Sequence, residues 1–203
     1  MIAIITGDIV NSEQYPTSIW MPLLKKVLQK NGKQPEFWDI YRGDEFQLKS
    51  TPDKALQLAI EIKAVIKSIK NLDVRLAIGL GDETYAGGRI TEANGSAYKR
   101  SGRMFEALKE EKRTLALACG HQHYDQTLNL MIKLALNFMD DWSTVSANTV
   151  SYTLQHPEIS QEKMAVQFKV QQSAISQRQT RARTHLVLEL IEYYQQTIKQ
   201  IVP

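Results

Sequence analysis

The chain has 203 residues, enough for one large domain or two small ones, and its 43% hydrophobic and 23% charged residues are those of an ordinary globular protein. A formal net charge of +3 excludes a polycation, so any contact with nucleic acid has to come from a local patch. The lone cysteine, Cys119, excludes an internal disulfide framework, and no stretch approaches the roughly 20 apolar residues that cross a membrane. A cytoplasmic protein without a membrane partner is expected.

In chain order, residues 1–10 are nearly continuous Ile, Ala and Val and predict a strand buried on both faces. Periodicity then predicts a helix over 17–30, with Ile19, Leu23, Leu24, Val27 and Leu28 on one face and Asn31-Gly32 as its stop. Residues 36–41 and 46–49 read as a hairpin about Gly43-Asp44. Thr51-Pro52-Asp53 opens a helix striped by Leu56, Ala59, Ile60, the stem of Lys63, Ile66 and Ile69. A strand over 74–80, a helix over 96–110 and a strand over 113–119 follow. This β-α-β-β-α-β-α-β order predicts an α+β fold: a ferredoxin-like, mainly antiparallel sheet with helices on one face, plus an extra helix and strand. From about Tyr124 onward only helical periodicity remains. The expected division is a sheet domain over 1–119 and an all-α domain over 125–203.

Two acidic turns stand out, Gly7-Asp8-Ile9-Val10-Asn11-Ser12 and Arg42-Gly43-Asp44-Glu45-Phe46. In the predicted topology the first strand lies beside the hairpin, so Asp8 and Asp44 are expected to approach one another. Two neighbouring carboxylates repel unless a proton or a cation lies between them. Mg²⁺ or Mn²⁺, bound by a few carboxylates together with phosphate oxygens, suits such a site. Gly7 and Gly43 allow close backbone approach. Lys99, Arg100 and Arg103 project from one helix face and suit a triphosphate. Each acidic turn alone is equally the ordinary use of Asp in a turn.

The same residues carry a resemblance. Gly7-Asp8-Ile9-Val10 resembles the Asp-Ile-Val opening of class III nucleotidyl cyclases, and Arg42-Gly43-Asp44-Glu45-Phe46 resembles the diguanylate cyclase signature. Residues 74–79, reading VRLAIG, and residues 95–103, reading GSAYKRSGR, resemble the following cyclase strand and helix, in the same order. More of the chain, through "IITGDIVNS", "GDEFQ", "VRLAIGLG" and "GSAYKRSGRMFEAL", is similar to the SatD family of small bacterial proteins. The cyclase resemblance implies a palm domain with Asp8 and Asp44 as metal ligands, the Ile9 carbonyl as a backbone ligand, and Arg103 on the transferring phosphate. Lys99 stands where cyclases carry a ribose-orienting asparagine, a departure that favours nucleotide or metal-phosphate binding over turnover. Glu45 either polarises a phosphate-bound water or caps its turn.

Residues 159–183, "ISQEKMAVQFKVQQSAISQRQTRAR", predict two short helices. Ser160 caps the first, with Met164, Ala165 and Phe168 inward. Lys169-Val170-Gln171 breaks it, and a second helix begins near Gln172 with Ile175 inward. A small residue at Ala165 and a branched one ten positions later fit the crossing of a helix-turn-helix, with Lys169 in place of the usual turn glycine. The second helix then exposes Gln172, Ser173, Ser176, Gln177, Gln179, Thr180, Arg181 and Arg183. Gln and Arg pair with base edges, and Ser, Thr and Arg with phosphates. With Arg178 and two lysines nearby and Glu162 as the one acid from 161 to 185, this is the local basic patch. The resemblance to bacterial regulators implies a duplex DNA partner. An apolar face on a last helix over 185–202 is expected to cover the preceding helices or to form a homodimer. The expected protein is a DNA-binding regulator with a nucleotide- or metal-phosphate-sensing palm. The alternatives are a two-metal nucleotidyl cyclase or phosphoryl transferase, and an inactive palm with a helical docking domain.

Overall fold

Alternating apolar residues in the first part of the chain build a five-stranded mixed sheet in the computed structural model, which describes residues 1–201. Val202 and Pro203, the end of the last predicted helix and domain, lie outside the described residues. The strands are β1 (Ile2–Val10), β2 (Trp38–Tyr41), β3 (Glu45–Ser50), β4 (Asp73–Gly81) and β5 (Leu115–Ala118). Their order in the sheet is β2-β3-β1-β4-β5, antiparallel except for the β4–β5 pair. The helices are α1 (Thr17–Leu28), α2 (Ala55–Lys67), α3 (Ser96–Glu111), α4 (Gln122–Met139), α5 (Thr144–Gln155), α6 (Gln161–Phe168), α7 (Gln172–Ala182) and α8 (Thr184–Ile201). The predicted element order is therefore present, in a mixed α/β fold.

Helices cover both faces of the sheet rather than one. Ile5, Leu48, Leu76 and Ile78 point into the core shared with α1 and α2. Their strand neighbours point the other way: Ile4 packs with Ala97, Ala77 packs with Phe105, and the Thr6 hydroxyl donates to Ser101 Oγ at 3.1 Å. Period-2 alternation places α3 on that second face. Gly79 permits it, because a Cβ there would sit 2.2 Å from the Ala97 carbonyl oxygen. The parallel β4–β5 pairing requires a crossover, and α3 is that crossover.

The buried face of α1 differs from the periodicity reading. Trp20, Leu24, Val27 and Leu28 are buried, whereas Ile19 and Leu23 are exposed. The largest side chain takes the inward position, since its burial removes the most apolar area from water.

The later helices continue the same core. Leu128, Ile132 and Met139 of α4, Ala147 and Val150 of α5, and Val187, Ile191 and Tyr194 of α8 join the cluster that contains Ile5 and Leu56. The Tyr194 hydroxyl donates to the Pro52 carbonyl at 2.6 Å, tying α8 to the start of α2. Lys63 is 0% exposed, and its ammonium bridges Asp73 at 2.8 Å and Asp140 at 2.7 Å. A buried ammonium requires such partners, and these two join β4 to the end of α4. No helix among the described residues is long and apolar enough to cross a membrane.

Candidate functional site

The acidic turns meet at one end of the sheet. At the end of β1 the chain turns through Asn11 in the left-handed region, φ 64°. The hairpin between β2 and β3 turns through Arg42 at φ 52° and Gly43 at φ 88°. Glycine suits that second conformation, and a Cβ on Gly43 would meet nothing within 4 Å, so the turn alone explains the residue. Gly7 has the opposite cause: a Cβ there would lie 2.8 Å from the Arg75 carbonyl oxygen.

Asp8 is paired in register with Glu45 of β3 on one side and Arg75 of β4 on the other. Like charges directly opposite repel, and cations offset them here. Arg75 donates to Asp8 Oδ2 at 3.0 Å, and Lys109 reaches Glu45 Oε1 at 3.3 Å from the end of α3. Arg42 lies 3.8 Å from the other Glu45 oxygen. The Ser12 hydroxyl donates to Asp44 Oδ2 at 2.6 Å. Asp8 Oδ1 is buried without a hydrogen-bond partner. Burial pushes the Asp8 carboxyl above its ordinary value; Arg75 and Lys109 oppose that, while Asp44 and Glu45 add to it. The Ile9 side chain is buried in the core, with its backbone paired to Val74. Among the described residues no group of three His, Cys, Asp or Glu side chains is gathered to hold a metal ion. Mg²⁺ needs only one or two carboxylates beside phosphate oxygens. The unpartnered Oδ1 of Asp8 beside Asp44 fits that donor set.

The predicted basic residues of α3 lie elsewhere. Arg100 donates to the Leu80 carbonyl at 2.5 Å and lies against Gly120. Leu80 is five residues along β4 from Arg75, roughly 17 Å at 3.4 Å per residue. Lys99 and Arg103 are exposed. The α3 cation that does reach the carboxylates is Lys109, two to three turns further on, with its ammonium 4.2 Å from the Phe105 ring centre. Neither Lys109 nor Arg75 was singled out by sequence. The available signal for Arg75 was a single basic residue near the start of an otherwise apolar strand, two positions after Asp73.

Beside this cluster lies a cleft of about 540 Å³, lined by Thr6, Asp39, Tyr41, Glu45, Gln47 and Arg89 among others. It is the part of the sheet face that α3 leaves uncovered. Burial alone raises the Asp39 carboxyl, but hydrogen bonds from Gln34 at 2.9 Å and Arg89 at 2.7 Å outweigh it and hold the carboxyl below its usual range. Burial and Glu45 push the Tyr41 hydroxyl up to about 12.

The second candidate is the α6–α7 pair. Ser160 Oγ accepts from the Lys163 amide at 3.3 Å and starts α6. Lys169 ends it in the left-handed conformation, φ 54°, ψ 45°, and the Val170 amide donates to the Ala165 carbonyl at 3.0 Å. Met164, Ala165 and Ile175 form a small separate core, flanked by Tyr152, Ile159, Phe168 and Val170. Gln172, Ser173, Gln177, Thr180 and Arg181 are exposed on α7, with Ser176 half-buried. Two arginines are otherwise engaged: Arg178 lies 5.8 Å from the Phe168 ring centre and Arg183 lies 5.6 Å from that of Phe138. Gln161, unremarked in the sequence, bonds both Gln179 at 2.7 Å and Gln172, stitching the two helices together.

No family model matches this chain, and no curated protein matches it.

Proposed function

We propose that the chain is a DNA-binding regulator that reads duplex DNA with α7, α6 and α7 acting as a helix-turn-helix. The observation that carries this reading is their crossing. Ala165 and Ile175 are buried against each other, Lys169 makes the left-handed turn, and the polar face near the start of α7 is exposed. A recognition helix contacts base edges with its N-terminal residues. Ser173 and Gln177 occupy that region, and Arg181 suits a phosphate.

A fluorescence-anisotropy titration of labelled duplexes over a salt series tests it. Arg181→Ala is expected to weaken every duplex and to shallow the salt slope by about 1. Gln177→Ala is expected to relax preference at one base pair by about 1–3 kcal/mol. Absence of duplex binding at low salt, with or without nucleotide and Mg²⁺, refutes the reading.

In the same proposal residues 1–119 are a ferredoxin-like palm, as the strand order β2-β3-β1-β4 supports, and the helices that follow, packed on it through the shared core, carry the DNA-reading pair. Asp8 and Asp44, with the Ile9 carbonyl, hold Mg²⁺ or Mn²⁺ beside the phosphates of a nucleotide. When bound, the ion supplies charge neutralisation for carboxylates and phosphate alike. The unpartnered Asp8 Oδ1 favours this reading, and the exposed Lys99 and Arg103 favour sensing over turnover. Nucleoside triphosphate with Mg²⁺ is expected to raise the melting temperature, and Asp8→Asn with Asp44→Asn to abolish that rise. A rise that survives in the double variant refutes this site.

A further inference from the structure

A groove of about 480 Å³ runs between α4 and α8, floored by Met131, Ala135, Phe138 and Leu190. Leu134, Leu186 and Tyr193 form its rims and are 62%, 37% and 42% exposed. Leu130, one turn before Leu134 on α4, extends the exposed stripe. α8 already buries Val187, Ile191, Tyr194 and Ile198 on its inner side. Apolar residues therefore occupy the outer flank as well, which is the pattern of a helix covered on two sides.

We propose that this groove is the interface with a second copy of the chain. The charges of the lining select that partner. Among the lining residues only Arg183 and Glu189 are charged, they are opposite in sign, and they lie three residues before and after Leu186, Arg183 just ahead of α8 and Glu189 on it. A twofold axis across the groove sets each Arg183 against Glu189 of the other copy, so the patch is complementary to itself. The dimensions also fit. α4 and α8 have 18 residues each, so two such helices per copy offer about 27 Å of length for a four-helix contact. Arg183 is the first residue after α7, and its ring contact with Phe138 anchors that joint to α4. Dimerisation here fixes the two α7 helices relative to one another. That consequence rests on the DNA-binding reading; the interface itself does not.

Sedimentation equilibrium of the full chain over a concentration series tests the interface. The expected mass is about 46 kDa, twice the 23.1 kDa of one chain. Leu134→Glu with Tyr193→Glu replaces exposed residues and is expected to give a monomer with an unchanged far-ultraviolet circular dichroism spectrum. Arg183→Glu alone is expected to weaken the dimer roughly tenfold or more, and adding Glu189→Arg is expected to restore it. Such restoration requires the cross-copy pair. A monomer up to the solubility limit overturns the proposal, as does a dimer indifferent to all these changes or a charge-swapped pair that stays weak. A monomer that still binds duplex DNA overturns the interface alone, whereas a dimer that binds no duplex overturns the DNA reading alone.

Discussion

Replacing Ile175 by alanine probes whether the α6–α7 crossing is an independent packing unit. Ile175 is fully buried, and its apolar neighbours are Met164 and Ala165 with a partly buried rim of Tyr152, Ile159, Phe168 and Val170. The substitution removes three carbons. At about 0.8 kcal/mol per buried methylene the transfer loss is about 2.4 kcal/mol. A rim attached to so small a cluster collapses only partly, and the remaining cavity brings the cost into the range of about 2–5 kcal/mol. The strands and α2 draw on a different cluster, to which Ile175 does not belong. The loss is therefore expected to be local. Native-state amide hydrogen exchange reads it: protection across α6 and the first turns of α7 should fall roughly thirtyfold or more, while β1 and β4 keep theirs. An equal fall throughout the sheet refutes the reasoning, because it makes the crossing part of one cooperative core. Unchanged protection in α6 and α7 refutes it as well.

Three further outcomes follow from single contacts. Asp39 is held below its ordinary value, so its stabilisation is present above the unfolded carboxyl value near 4 and is lost as pH falls through the lower folded one. Asp39→Asn is thus expected to lower the melting temperature at pH 7 with a deficit that shrinks below about pH 4, and a deficit constant down to pH 3 contradicts it. Lys63→Ala leaves Asp73 and Asp140 without the ammonium they share. Asp73 keeps Lys67 at 3.2 Å and the Asp140 side chain is 40% exposed, so a cost of about 1–3 kcal/mol in urea unfolding is expected, and less than about 0.5 kcal/mol contradicts the structural role of that bridge. Gly79→Ala forces a methyl against the backbone of α3 at Ala97 and Ser101. About 1–3 kcal/mol of destabilisation in thermal unfolding is expected, whereas a neutral result shows that α3 moves away freely.

Periodicity in the chain was enough to place the five strands, α1 to α3 and α6 to α8 in order, because burial on one face imposes a period of 2 or 3.6 on neighbouring residues, whereas the span that holds α4 and α5 read only as helical, without its division into two helices. The turn at Lys169 and the crossing pair Ala165 and Ile175 were legible for the same reason: ten residues of one local motif contain the whole contact. The meeting of the acidic turns was legible in outline, since Asp8 and Asp44 end adjacent elements in the predicted topology. What accompanies them was not. Arg75 reaches Asp8 across 67 positions of sequence, and Lys109 reaches Glu45 across 64. Strand register and the path of α3 decide both pairings. The face taken by α3 turned on whether Gly79 admits a helix backbone, and the face buried by α1 on competition between Trp20 and its neighbours Ile19 and Leu23. Such choices are made between surfaces distant in sequence, where shape and charge must match at once, and a local pattern carries no record of the surface it will meet.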